Sequence, residues 1–251
     1  MTVLETHNLN VGYGRRTVLS DVNVRVPEGS FTALIGANGS GKSTLLRTLS
    51  GTQAALGGSI WLNGNELSHM RRSNLAKSLA MVLTDRSGGG GLSVGETVEI
   101  GRHPYTGLLG RLTEEDRRIV DRSLEAVGMY GMKKRLLGTL SDGERQKVMI
   151  ARALAQDTPL IILDEPTAFL DVAGRIEITA LLRRLADSGK AIVLSTHDVS
   201  SAIASADMLW IVDKREGRLH ASERDKAIEA GYLDNAFPGL HFDKTSYSFT
   251  L

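Results

Sequence analysis

The sequence contains no cysteine, so disulfides, thiolate metal sites and thiol nucleophiles are excluded and a reducing compartment is suited. It also lacks charge of one sign: the formal net charge is +1, and no global basic field points to a nucleic-acid partner. Basic clusters such as Lys133-Lys134-Arg135 are short and read as a solvated face. No apolar run approaches the roughly 20 residues needed to span a bilayer. Met1–Asn10 carries no apolar signal core, so the chain is expected not to cross a membrane by itself. There is no internal repeat, and no low-complexity tract beyond a glycine run at 88–91. What is present is 251 residues with 41% apolar content, enough for one large α/β domain or a domain with a lobe.

The pattern along the chain supports that class. Val3–Asn10 and Thr17–Val26 alternate as strands of a β-rich edge, with a turn at Pro27-Glu28-Gly29. Phe31–Ile35, Leu79–Leu83, Leu160–Leu163 and Ala191–Leu194 are short apolar runs that read as buried strands, and Ser59–Leu62 is a further strand. Ser87–Gly91 is a loop. From Val94 to Leu137 the periodicity is helical, and Ile178, Leu181, Leu182 and Leu185 recur at helix spacing. Beyond Gly217 a helix over Ser222–Ala230 and a hairpin over Phe242–Phe249 are expected. Strands alternating with helices imply a mainly parallel sheet covered on both faces.

Residues 36–44 read Gly-Ala-Asn-Gly-Ser-Gly-Lys-Ser-Thr, the phosphate-loop pattern, between an apolar strand and the start of a helix. Glycines let backbone N–H groups turn inward toward phosphate oxygens, and the helix N-terminus adds its positive end. Gly36, Asn38, Gly39, Ser40, Gly41 and Thr44 are expected to cradle the nucleotide. Lys42 would neutralise the β- and γ-phosphates, and the Ser43 hydroxyl would ligate Mg²⁺. Asp164 and Glu165 follow an apolar strand, so Asp164 is expected to hold Mg²⁺ and Glu165 to polarise water or act as general base. His197 ends the next strand, at the sheet edge where ligands sit in such folds, and would contact the γ-phosphate and hold Glu165. Ser141-Asp142-Gly143-Glu144 is a capping box and also a second phosphate-seeking helix start. Two such features in one chain suggest a site shared between two subunits.

These motifs, in this order, resemble the ATP-binding cassette family over about residues 1–215. The family's signature is usually Leu-Ser-Gly-Gly-Gln; here Leu140-Ser141-Asp142-Gly143-Glu144 keeps the serine and the second glycine. Phe169-Leu170-Asp171 resembles the family's subunit-contact loop, and Tyr13 matches the aromatic that stacks on adenine. The resemblance implies a P-loop ATPase with a mainly parallel core sheet, an antiparallel β edge subdomain, a helical signature subdomain near 94–155, and an extension over 216–251. It implies ATP and Mg²⁺ as ligands. It also implies a head-to-tail homodimer in which ATP lies between the phosphate loop of one copy and Ser141 and Gly143 of the other. The family places a glutamine where this chain has Thr84, followed by Asp85; either could take over its contact to Mg²⁺.

Gly101-Arg102-His103-Pro104 resembles an element of bacterial importers for ferric siderophores, haem and cobalamin. As a bare peptide it reads equally as a helix end broken by proline. The resemblance implies an ATPase subunit on the cytoplasmic face of the cell membrane, beneath a two-subunit permease fed by a periplasmic or lipid-anchored binding protein. The competing readings are a non-transport cassette ATPase, an exporter subunit, and a non-enzymatic scaffold that would have lost the catalytic acid or the histidine.

Overall fold

Apolar strands place the core before any helix does, because a strand without a polar face must be covered on both sides. The computed structural model describes residues 1–83, 91–107, 110–237 and 239–250. The chain begins with β1 (Thr2–Tyr13), β2 (Arg16–Val22), β3 (Arg25–Pro27) and β4 (Phe31–Ile35), followed by α1 (Lys42–Leu49). Next come β5 (Gly57–Leu62), β6 (Asn65–Glu66), α2 (Arg72–Ala76) and β7 (Leu79–Val82). A helical section holds α3 (Val94–Glu99), α4 (Glu114–Ala126) and α5 (Asp142–Ala155). β8 (Leu160–Asp164), α6 (Val172–Asp187), β9 (Ala191–Ser195), α7 (Val199–Ser205) and β10 (Met208–Asp213) then alternate. β11 (Arg218–Glu223), α8 (Arg224–Glu229), α9 (Tyr232–Ala236), β12 (His241–Asp243) and β13 (Ser248–Thr250) follow.

The main sheet runs β11-β10-β4-β9-β8-β7, parallel throughout except for the β10–β11 hairpin. An antiparallel sheet, β2-β1-β5-β6 with β3 also on β1, lies beside it. Period-two alternation divides the core. Phe31, Ala33 and Ile35 face the layer that contains α3 to α9, while Leu34 faces α1. Leu45, Leu46 and Leu49 of α1 are fully buried between Leu34, Ile162 and Trp210 of the main sheet and Leu9, Val11 and Leu19 of the antiparallel one. The helix that follows the phosphate loop is therefore clamped between two sheets, each buried leucine contributing about 1.5–3 kcal/mol.

Two expectations are amended and one pair of strands is added. Thr17–Val26 is two strands, β2 and β3, separated at Asn23 and Val24, and β2 is itself irregular where Asp21 takes φ 53° and accepts a 2.8 Å hydrogen bond from Asn23 Nδ2. The segment 94–137 is not one helical run: α3 passes into a 3₁₀ turn at Ile100–Tyr105 that contains Pro104, and α4 begins afresh on a Thr113 cap. The strand β10 and its partner β11, absent from the sequence reading, form one side of the main sheet. The hairpin expected at 242–249 is present as β12–β13. Of the glycine run, only Gly91 is among the described residues.

The Gly-Arg-x-Pro element has a packing role within this section. A Cβ on Gly101 would collide with the Arg152 carbonyl. Arg102, 5% exposed, donates from Nε to Asp116 Oδ1 and from Nη1 to the Ala155 carbonyl, both at 2.8 Å. The ion pair ties the turn to α4, and the carbonyl bond ties it to the C-terminus of α5.

Candidate functional site

Because β4, β8 and β9 run parallel, the residues that follow them emerge at one edge of the sheet. The turn after β4 is the phosphate loop. Gly39 and Gly41 take φ 67° and 106°, a left-handed region that favours glycine, and a Cβ on Gly41 would lie 2.5 Å from Val18 Cγ1. A Cβ on Gly36 would lie 2.9 Å from Ser40 Oγ. Lys42, 5% exposed, folds back so that Nζ donates to the carbonyls of Gly36 (2.8 Å) and Ala37 (3.3 Å). Burial lowers its pKa, opposed by the negative charges of Glu165 and Asp164. Ser40 Oγ is buried without a hydrogen-bond partner among the described residues. A buried ammonium bonded to two carbonyls, a hydroxyl without a partner among the described residues and a helix start free of acids suit a polyphosphate. Asn38 offers its carbonyl to Lys214 Nζ at 3.1 Å, a contact the sequence did not reveal. Tyr13 is 53% exposed, with its hydroxyl 3.1 Å from Thr44 Oγ1, which holds the ring beside the start of α1.

The acids lie opposite. Ser43 Oγ donates to Asp164 Oδ1 at 3.1 Å, so a hydroxyl and a carboxylate stand together as hard oxygen donors that fit Mg²⁺. Ser195, at the end of β9, donates from Oγ to the same Oδ1 at 2.6 Å and accepts the Glu165 N–H at 2.9 Å. Glu165 takes φ 50°, unusual for a non-glycine residue. Its side chain is held from the other side, with His197 Nε2 2.5 Å from Oε1. Ser195 was missed as a site residue; the signal was a polar residue ending an otherwise apolar run, one strand over from Asp164.

Ser141, Gly143 and Asp171 gather elsewhere. Ser141 caps α5: its backbone N–H donates to Glu144 Oε2 at 2.8 Å, and its Oγ accepts the Glu144 N–H at 3.3 Å. The Ser141 backbone N–H and then its hydroxyl hold the Glu144 carboxyl below its ordinary pKa. Asp171 caps α6 by accepting the Gly174 N–H at 2.8 Å. The two helix starts share a cavity with Lys147, Phe169 and Glu177, and no residue of 36–44 lines it. Thr84 and Asp85 lie outside the described residues.

The profile of the ABC transporter family matches residues 19–168. An uncharacterised ABC transporter ATP-binding protein of Methanocaldococcus jannaschii is 43% identical over 234 residues, 93% of this chain and 77% of its own. The iron(3+)-hydroxamate import ATP-binding protein of Bacillus subtilis is 43% identical over 80% of this chain and 76% of its own. The ferric enterobactin transport ATP-binding protein of Escherichia coli is 36% identical over 94% of this chain and 87% of its own. Among solved structures, an inward-facing ABC transporter of metal-chelate type superposes with a TM-score of 0.83 at 27% identity, covering 100% of this chain and 96% of the other.

The chain belongs to the ABC transporter family. Within it, this is an ATP-binding subunit that hydrolyses ATP. Among the described residues no helix is long and apolar enough to cross a membrane.

Proposed function

We propose that this chain powers an importer of metal chelates, in the class of ferric siderophores, haem and cobalamin. The relatives named for hydroxamate, enterobactin and cobalamin import support this reading, as does the fit to a transporter of metal-chelate type. Two copies would sit peripherally at the cytoplasmic face of a two-subunit permease that receives cargo from a binding protein.

The observation that carries the mechanism is the division of the site within one chain. Lys42, Asp164, Glu165 and His197 meet at the sheet edge, whereas Ser141 and Gly143 border a cavity with Asp171. Head-to-tail pairing would bring the α5 start of one copy against the phosphate loop of the other. ATP would then bind both copies and favour the closed pair by mass action. Tyr13 would stack on the base, and the loop from Gly36 to Thr44 would hold the phosphates. Mg²⁺ on Ser43 and Asp164 would draw charge from the phosphate oxygens, with Thr84 or Asp85 as a further contact. Glu165 would take the proton of the water that attacks the γ-phosphorus, ADP leaving as the bond to the β-phosphate oxygen breaks. His197 would keep the Glu165 carboxylate aimed. Residues 94–155 would transmit closure to the permease as the helical subdomain.

Glu165→Gln tests the core of this reading. The variant is expected to lose about 10²–10⁴-fold in ATP turnover and to accumulate as an ATP-stabilised dimer in size-exclusion chromatography with light scattering. Native turnover in the variant would remove Glu165 from the mechanism. Cargo is tested in proteoliposomes holding the permease and binding protein: ATP-dependent uptake of ferric hydroxamate, haem or cobalamin is expected. Outward movement, or no uptake of any of the three, would refute chelate import.

A further inference from the structure

We propose a binding site for a divalent first-row transition-metal ion on the β10–β11 hairpin, formed by Asp213, Glu216 and His220. The ladder pairs Asp213 with Arg218 and Ile211 with His220, so Asp213 and His220 are diagonal neighbours on one face of the ribbon. Glu216 comes from the turn between them. One ligating atom from each residue lies within 4.8 Å of the other two. Donors at about 2.0–2.2 Å from a shared zinc-sized ion lie at most about 4.4 Å apart. The exposed Glu216 side chain can close that small difference.

Each of the three residues keeps a donor atom without a hydrogen bond among the described residues. Asp213 is only 7% exposed, and its Oδ1 accepts the backbone N–H groups of Arg215 (2.8 Å) and Glu216 (3.2 Å). That fixes the carboxylate and leaves Oδ2 without a hydrogen bond among the described residues. The His220 ring stacks on Tyr232, with centroids 4.3 Å apart and planes 10° from parallel. Stacking uses the ring face, and neither ring nitrogen has a hydrogen bond among the described residues. The hairpin also carries Lys214, Arg215 and Arg218, yet none of the three ligands enters an ion pair among the described residues; Lys214 turns away to the Asn38 carbonyl. A buried carboxylate, a planar imidazole held by a stack and a movable carboxylate form a nitrogen–oxygen donor set. Imidazole favours Zn²⁺, Co²⁺ or Fe²⁺ over Mg²⁺ and Ca²⁺, and the lack of thiolates disfavours Cu⁺. Through Lys214 the same hairpin touches the phosphate loop, so an ion here would stiffen a segment in contact with the nucleotide site.

The test is a titration of the full chain with Co²⁺ and Zn²⁺, with MgADP saturating the phosphate loop. Cobalt absorption and calorimetry give the stoichiometry and affinity. One ion per chain is expected, with affinity weakened at least about tenfold, or 1.4 kcal/mol, in both Glu216→Gln and His220→Gln. Glu216 is exposed, so its variant reports on binding without disturbing the fold; circular dichroism checks the His220 variant. No binding up to about 1 mM, or native affinity in either variant, would overturn the proposal.

Discussion

At the scale of single residues, the proposed nucleotide site is organised around groups that are uncomfortable on their own. Lys42 is a buried cation whose contacts are carbonyl oxygens, and its lowered pKa records that burial penalises the charge. Phosphate oxygens would relieve that penalty, so Lys42→Ala is expected to weaken ATP binding at least about tenfold, the equivalent of one charge-assisted hydrogen bond. Loss of the ATP-induced rise in melting temperature would report it. Ser195 is the other informative residue, because one hydroxyl reaches both Asp164 Oδ1 and the Glu165 N–H. Without it the left-handed backbone at Glu165 loses a restraint. Ser195→Ala is therefore expected to lower kcat by about tenfold or more while leaving ATP affinity near native, at about 1–3 kcal/mol of stability for the hydrogen bonds lost. Equal changes in kcat and affinity would count against a positioning role.

Among the elements, the helical section is tied together by a buried ion pair as well as by its packed helices. Arg102 and Asp116 have side chains 6% and 8% exposed and lie 2.8 Å apart. The Thr113 hydroxyl first, then its backbone N–H and Arg102, hold the Asp116 carboxyl below its ordinary 3.8, against the opposing effect of desolvation. A carboxylate whose folded pKa is depressed stabilises the fold above its unfolded value. That contribution falls away as pH drops from about 4 through the depressed folded value. Asp116→Asn is expected to flatten the acid limb of stability measured by urea unfolding between about pH 5 and pH 2. Arg102→Ala leaves Asp116 buried without its cation, and a loss of about 3–5 kcal/mol is expected by the same measurement. The Gly-Arg-x-Pro element, read from sequence as either an importer mark or a helix end, thus has a packing reason of its own. A family mark and a structural tie are compatible here, since the turn they build also orients α3 and α4.

For the whole molecule, the proposed dimer makes a prediction that no monomeric site would satisfy. Lys42→Ala removes the phosphate-loop half of each site and Ser141→Ala the α5 half. In a mixed dimer, one site keeps both intact halves and the other loses both. Each variant alone is expected to be inactive. An equimolar mixture is expected to recover a measurable fraction of native ATPase activity, about a quarter if the sites are independent and exchange is free. Absence of recovery under conditions of verified subunit exchange would argue against sites shared between copies. The Ser141→Ala monomer is expected to bind ATP normally, since no residue of 36–44 lines the cavity at Ser141.

The turn at 36–44 was legible in the sequence because its geometry is local: nine consecutive residues between a strand and a helix carry the glycines, the lysine and the hydroxyls. The same holds for the capping box at Ser141 and for the buried strands β4, β8 and β9, whose apolar runs admit no other covering. Met208–Asp213 was equally apolar yet went unread, and with it the hairpin partner β11. Only the tertiary structure decided which distant pieces meet. Parallel register, a long-range property, brings Ser43, Asp164 and Ser195 to one hydrogen-bonded point, pairs Glu165 with His197, and puts Lys214 on the phosphate loop. It also decided what stays apart, since helix packing directs Ser141 and Asp171 to a separate cavity that a second copy would have to reach.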